Sequence, residues 1–298
     1  ARPRRAGIGG RGRAVALLDG CVQSVLGAEI NAATRRVLAR AGVRVAEAPP
    51  ELRSACCGAM HLHTGDRQGA ERRAARLVDH WAAQLASGAI DAIVLTTSGC
   101  GSVVRHYDEL FDNDPPRKEK ARAVVRASVD ISELLAGIDL PATGRGAGAR
   151  VAYHDACSLR HGQKLTRPPR KVLQGLGFEV CDIPEAHLCC GSAGVYNLLQ
   201  PAIADRLGQR KAGNIAGTAP QVVVAGNLGC LVQISRFAEA PVAHLAQLVD
   251  WAGGGPAPRG LEDFQPRPAA APTDDGPGLY ADTAEAPAQD LSSNQPLW

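Results

Sequence analysis

A cysteine-bearing frame occurs twice in this chain, and an internal repeat restricts the fold more than any other feature, because both copies must form the same supersecondary unit. Asp19-Gly20-Cys21 returns as Asp155-Ala156-Cys157 after 136 residues, Cys56-Cys57-Gly58 as Cys189-Cys190-Gly191 after 133, and Cys100 as Cys230 after 130. The interval shortens by three at each step, as small loop deletions produce; chance does not readily repeat a Cys-Cys-Gly in register. Eight of the nine cysteines fall into the frame. The ninth is a control: residues 178–184 align with 43–49, so Cys181 stands where the first copy has Ala46. A ligand should recur, so Cys181 is read as a packing residue.

The apolar pattern repeats with the cysteines. Short apolar runs at 14–18 and 150–153 end just before the first cysteine of each copy, and helix-forming segments follow at 26–41 and 167–175. Strand-like stretches at 43–46 and 178–181 are stopped by Pro49 and Pro184. Segments 66–86 and 200–215 fit amphipathic helices, with Leu77, His80, Trp81 and Leu85 on one face. Runs at 90–95 and 221–225 are apolar without alternation, as in a parallel strand covered on both faces. Strands alternating with helices predict an α/β fold: two tandem cysteine-rich domains, each a small, mainly parallel sheet with helices on both faces. The expected boundaries are a flexible basic lead-in at 1–13, a first domain at 14–148, a second at 149–252, and a disordered, acidic Pro/Gly/Ala-rich tail at 253–298.

The 298 residues, 45% of them hydrophobic, allow one large or two medium domains. The net charge of +3 is nearly balanced, but residues 1–13 hold five Arg and no acid, while 253–298 hold Arg259 and Arg267 against seven acids. The middle is close to neutral and has no concentrated basic face, so no nucleic-acid partner is expected. No apolar stretch approaches the length of a membrane span and no signal peptide opens the chain. The expected compartment is the reducing cytoplasm, where cysteines read as metal ligands or redox groups before disulfides. The missing initiator Met leads to the expectation that the chain begins inside a longer product.

Ligands of such sheets gather outside the carboxyl ends of the strands. Every frame cysteine lies just beyond a strand or in the following loop, so Cys21, Cys56, Cys57 and Cys100 can converge in the first copy and Cys157, Cys189, Cys190 and Cys230 in the second. Four soft thiolates suit an iron–sulfur cluster or a zinc ion. Neighbouring side chains in a strand point to opposite faces, so each Cys-Cys pair meets one group only if the backbone turns there. Gly58 and Gly191 supply the freedom to adopt positive φ that the turn demands. A disulfide between sequence neighbours would be strained, which disfavours an oxidised pair.

From about 14 to 250 the arrangement resembles the duplicated cysteine-rich CCG domain of heterodisulfide reductase subunits, lactate-utilisation proteins and the iron–sulfur subunit of glycolate oxidase (glycolate dehydrogenase). The second copy is most similar to the last of these. It carries Tyr153-His154-Asp155-Ala156-Cys157, His161-Gly162-Gln163-Lys164, Leu188-Cys189-Cys190-Gly191-Ser192-Ala193-Gly194, Arg210-Lys211 with Asn214-Ile215, and Asn227-Leu228-Gly229-Cys230. The resemblance implies an electron-transfer subunit of an oxidoreductase acting on the CH–OH group of 2-hydroxy acids. It implies that the eight frame cysteines bind iron–sulfur clusters of the 4Fe-4S kind. It also implies flavin-containing partner subunits, whose FAD is not on this chain and oxidises glycolate to glyoxylate, with electrons passing toward a membrane quinone. The location implied is the cytoplasm, with peripheral association at the inner face of the plasma membrane as a variant. The isolated chain is then not expected to be catalytic.

Two departures qualify the resemblance. Family members that hold an unusual cluster end on Cys-x-x-Cys, whereas Thr97 precedes Cys100 and Asn227 precedes Cys230 here, leaving four thiolates per copy. The glycolate subunit also opens with a ferredoxin-like module bearing two Cys-x-x-Cys-x-x-Cys runs, absent from this sequence. The expectation is a carboxyl-terminal part of such a subunit, with the lactate-utilisation type or a heterodisulfide-reductase-type subunit as alternatives. Outside electron transfer stand a zinc or thiol scaffold and a thiol–disulfide enzyme using His154.

Other signals are weaker. Gly7-Ile8-Gly9-Gly10-Arg11-Gly12 matches the dinucleotide pattern in letters but precedes the first strand, where no phosphate site can form. His61 and His63 are read as a polar loop, and residues 117–120 as an exposed charged loop. His154, opposite Leu18 in the repeat, is read as a buried histidine beside the thiols. His161 and Lys164 are read either as positive groups near the second thiol set or as a solvated loop.

Overall fold

The computed structural model describes residues 12–266; the arginine-rich segment before Gly12, the glycine pattern that opens at Gly7, and the tail from 267 onward lie outside the described residues. The first copy runs β1 (Ala14–Leu18), α1 (Gln23–Leu26), α2 (Ala28–Arg40), β2 (Arg44–Ala46), α3 (Ala59–His63), α4 (Arg67–Ala86), β3 (Ala92–Leu95), α5 (Ser98–Val104), α6 (Pro115–Ala127), β4 (Ser128–Asp130) and α7 (Ile131–Leu135). The second runs β5 (Arg150–His154), a π-helical turn (Ser158–Gln163), α8 (Arg167–Gly175), β6 (Glu179–Cys181), α9 (Tyr196–Leu199), α10 (Pro201–Ala216), β7 (Val222–Ala225), α11 (Leu228–Ser235), β8 (Val242–His244) and α12 (Leu245–Ala252).

Each copy is a four-stranded parallel sheet, ordered β2-β1-β3-β4 in the first and β6-β5-β7-β8 in the second. β1, β3 and β7 are buried along their whole length, which is why their sequences are apolar without alternation. The registers coincide: Leu18 faces Leu95 in one sheet and His154 faces Ala225 in the other. From β1 the chain winds first to β2 on one side and then to β3 on the other, so a crevice opens at the carboxyl ends of β1 and β3, and likewise of β5 and β7.

The long helices form where the periodicity places them. Asp66 caps α4 by accepting the Gly69 N–H at 2.8 Å, and Leu77, Val78 and Trp81 are buried beneath it. Three local expectations are corrected. Residues 117–120 lie in α6, not in a loop: Asp114 accepts the Arg117 N–H, Pro115 occupies the first turn, and Arg117 and Lys120 reach Asp79 on α4. His61 and His63 lie in α3, where His61 bonds Asp66 at 2.9 Å. The tail expected to be disordered from 253 is packed for its first part: Leu261 is buried in the core and the Phe264 ring meets Trp251 edge-on at 5.5 Å. Few large apolar residues occur there, but these two suffice to anchor it. β4 and β8, three residues each, are too short for a period to reveal. The interval between copies falls from 130 residues at β3 and β7 to 114 at β4 and β8, because α6 has no counterpart.

The copies share one core, in which Val15 and Val94 of the first sheet join Val151 and Val224 of the second. α2 packs on α12 and α7 on α8, so the first crossover helix of each copy meets the last helix of the other. Asp250 on α12, buried, accepts Arg36 Nε at 2.8 Å and also pairs with Arg40, both from α2. No helix among the described residues is long and apolar enough to cross a membrane.

Candidate functional site

The strand ends deliver the eight frame cysteines to the two crevices. In the first copy the thiols form a chain of neighbours, Cys21 beside Cys56, Cys56 beside Cys57, and Cys57 beside Cys100, each close enough to shift the ionisation of the next. In the second, Cys157, Cys189, Cys190 and Cys230 are linked in the same order. All nine cysteines are free of disulfides. Cys181 stands apart on β6, opposite Ala152, as Ala46 stands opposite Ala16.

The double cysteines turn as expected. Gly58 has φ of +86° and Gly191 of +95°. The turn also aims an amide at the first sulfur of each pair: Gly58 N–H donates to Cys56 Sγ at 3.4 Å, and Gly191 N–H to Cys189 Sγ at 3.3 Å. A side chain is excluded besides, since a Cβ at Gly191 would lie 2.3 Å from the Ala204 carbonyl oxygen.

Within each set the thiols are electrically unequal. Hydrogen bonds from neighbouring thiols, with the Gly amides, hold Cys56 and Cys189 far below the ordinary thiol range, while donating to them holds Cys21 and Cys157 far above it. Cys57 and Cys190 are likewise raised and Cys100 and Cys230 lowered. Four thiols packed this closely cannot all ionise against one another; a cationic centre removes the conflict by replacing the shared protons. The donor set, four thiols with amides aimed at the sulfurs, fits a soft metal group.

Several contributing residues were not singled out from the sequence. Asp19, two residues before Cys21, accepts from Arg35 Nη2 through both oxygens at 2.8 and 2.9 Å; Asp155, two before Cys157, receives a bidentate fork from Arg170 at 2.8 and 2.9 Å and a bond from Arg160 at 3.0 Å. The repeat holds a clue, since Arg170 follows Arg35 by 135 residues, close to the interval of the aspartates. These pairs pin the loops that begin each thiol set. Tyr107, fully buried, donates to the Cys57 carbonyl at 2.8 Å.

The positions before the last cysteine diverge. The Thr97 hydroxyl turns to Gln23, whereas Asn227 donates its amide to Cys230 Sγ at 3.2 Å and accepts the Gly99 N–H of the first copy at 3.1 Å. Ser98 N–H also donates to the Gly226 carbonyl at 3.1 Å, and Gln163 to the Ser98 carbonyl at 3.0 Å. The first turns of α5 and α11, which bear Cys100 and Cys230, are thus stitched together. His154 is buried as expected, with Cys190 and Cys230 within 4.8 Å and its Nε2 without a hydrogen-bond partner among the described residues. Lys211, 1% exposed, occupies the level of Leu77 in the first copy and donates to the Glu185 carbonyl at 2.9 Å; burial pushes its pKa down. His161 and Lys164 are exposed, with His161 Nε2 3.3 Å from the His187 carbonyl oxygen.

The family model of the cysteine-rich domain CCG matches residues 15–105 and 151–235. The glycolate oxidase iron-sulfur subunit of Escherichia coli (strain K12) is 37% identical over 240 residues, covering 80% of this chain and 58% of that protein. Lactate utilization protein A of Shouchella clausii (strain KSM-K16) is 23% identical over 243 residues, 79% of this chain and 98% of that protein. The chain therefore spans less than two thirds of the glycolate oxidase relative. A crystal structure of a hypothetical protein from Helicobacter pylori superposes with a TM-score of 0.52 at 11% identity, over 82% of this chain and 50% of that one, a likeness of fold.

Proposed function

Because this chain belongs to the CCG cysteine-rich domain family and carries the domain twice, we propose that it is the electron-carrying part of an iron–sulfur subunit of a glycolate oxidase complex. In this reading flavin-bearing partner subunits oxidise glycolate to glyoxylate on FAD, and electrons pass through this chain toward a quinone. Its place is the cytoplasm or the inner face of the plasma membrane. The single observation that carries the proposal is the gathering of two matched sets of four thiols at two sheet crevices.

Cys21, Cys56, Cys57 and Cys100 would hold one iron–sulfur cluster, and Cys157, Cys189, Cys190 and Cys230 a second. Four thiolates match the 4Fe-4S kind. A bound cluster supplies a one-electron carrier with no proton to move. The Gly58 and Gly191 amides donate to ligand sulfurs, which stabilises negative charge there. The Arg35–Asp19 and Arg170–Asp155 pairs hold the first-ligand loops in place. The hydrogen bonds between the helix starts that bear Cys100 and Cys230 offer a short bonded route between the sets.

Purification of the chain without oxygen, followed by iron, acid-labile sulfide and zinc determination, tests the proposal. Iron with equivalent sulfide is expected. Zinc without sulfide would replace it with a structural site, for which His154, Cys190 and Cys230 form the best-gathered mixed donor set. Turnover of glycolate against lactate in the assembled complex decides between the glycolate and lactate-utilisation relatives.

A further inference from the structure

Residues 50–56 and one side of α4 border a half-open cavity of about 460 Å³ lined by Arg53, Arg72, Arg73, Arg76, Glu51 and Cys56. Arg72, Arg73 and Arg76 share a side because residues three and four apart are neighbours on a helix. Four guanidinium groups thus face one carboxylate, and none of the four forms an ion pair among the described residues. Three of them donate to neutral carbonyls, Arg53 to Ala48 at 3.4 Å, Arg73 to Gly69 at 3.2 Å and Arg76 to Glu51 at 2.9 Å, while Arg72 acts through space on the Asp66 carboxylate. Elsewhere the protein pairs its arginines closely, as at Asp19, Asp155 and Asp250.

The duplication separates Arg73 from its neighbours on α4. Gly58 abuts Ala70 and Gly191 abuts Ala204, which sets the register between α4 and α10. In that register Arg72 corresponds to Arg206 and Arg76 to Arg210, whose fork is occupied by Glu185 at 2.8 Å, while Arg73 corresponds to Leu207. The second copy gathers its four thiols with Leu207 at the level of Arg73 and with the Arg210 fork held by Glu185, so a free arginine at those two levels is not needed to gather thiols.

We propose that this cavity binds a small oxyanion, a carboxylate or a phosphate, beside the first thiol set. Guanidinium forks match the planar carboxylate and the phosphate with paired hydrogen bonds. The volume lies in the range of small-ligand pockets, roughly 300–1,000 Å³. The arginines converge from two segments, residues 50–56 and α4, onto one half-open hollow, a size and shape suited to a small anion. Cys56 lines the cavity, so a bound anion places negative charge against the first set and lowers the potential of a cluster held there. That consequence rests on the cluster reading; the binding does not.

Calorimetric titration of the full chain with oxalate, glycolate and inorganic phosphate at low ionic strength tests the site. Saturable binding of at least one anion is expected, weakened about tenfold or more, one charge-assisted bond's worth, in both Arg72→Ala/Arg76→Ala and Arg53→Ala. Arg122→Ala, on the exposed side of α6, should leave it unchanged. The preferred anion distinguishes carboxylate from phosphate. Absence of saturable binding, or equal binding by the variants, overturns the proposal. So does arginine-dependent capture of an acidic partner protein without small-anion binding, which would make the cavity a docking surface. Iron and sulfide content, measured on the same samples, reports separately on the cluster reading.

Discussion

Asn227 bridges the two copies: its side-chain amide donates to Cys230 Sγ at 3.2 Å, while its carbonyl oxygen accepts the Gly99 N–H, one residue before Cys100, at 3.1 Å. The equivalent Thr97 makes no such bond and spends its hydroxyl on Gln23. A donor to a ligand sulfur stabilises the reduced, more negative state and raises the potential. Asn227→Thr should therefore lower the potential of the second centre by about tenfold in its one-electron equilibrium, ~59 mV. The first centre should keep its potential. Redox titration followed by electron paramagnetic resonance measures both, and an unmoved second centre would remove Asn227 from this role.

The repeat makes a sharp distinction among cysteines. Cys190→Ser should cost the second copy its iron and visible absorbance while the first retains them. Cys181→Ser, buried on β6 outside both sets, should leave the metal content at the level of the unaltered chain. Equal losses in the two variants would contradict the division of the cysteines into two sets and an outlier.

Gly191 is held by geometry as well as conformation. With φ of +95° and a Cβ position 2.3 Å from the Ala204 carbonyl oxygen, Gly191→Ala should destabilise the fold by at least ~1–3 kcal/mol, the strain typical of such a site. Gly58→Ala, with 3.0 Å to Ala70, should cost less. Gly88→Ala, at φ of +71° with nothing within 4 Å, should cost least. Chemical denaturation of the three variants gives the order, and any other ranking would count against the contact argument.

His244 links acid stability to the seam between copies. Its Nδ1 accepts the Ala246 N–H at 3.0 Å, which leaves Nε2–H to donate to the Thr96 carbonyl of the first copy at 2.8 Å. Burial pushes its pKa down to about 4 from 6.5, so folding favours the neutral ring. Its contribution is complete above pH 6.5 and fades as the pH falls toward 4, by up to about 3 kcal/mol. Asp130, the equivalent cap at the end of β4, acts oppositely: burial raises it to about 6, so its contribution is present below pH 3.8 and lost as pH rises through 6. The difference between the unaltered chain and His244→Gln isolates the histidine. The stability advantage of His244 should shrink between pH 6.5 and 4; a constant difference would show that folding leaves the ring's pKa unchanged.

Much of the architecture is carried by properties of single segments, which a sequence displays. The apolar run of β1 and the helical spacing of Leu77 and Trp81 record burial directly. The paired Cys-Cys-Gly triplets record a turn that only glycine completes. The repeat then grouped eight cysteines in two sets and set Cys181 aside, and the thiol contacts follow that grouping. α6 escaped because its surface is charged on nearly every side, and its helix is defined by the Asp114 cap and by Asp79 on a different helix.

By itself, then, the sequence determined two equal sheets, the thiol sets and the glycine turns, since each follows from local period or from spacing within a copy. Only the tertiary structure decided how the copies meet and what surrounds the thiols. Arg36 finds Asp250 across 214 residues, Gly99 finds Asn227 across 128, and Arg53 is brought to the arginines of α4 by the path of a loop. A hydrogen bond or a shared cavity depends on distance in space, and separation along the chain does not encode that distance until the core has closed.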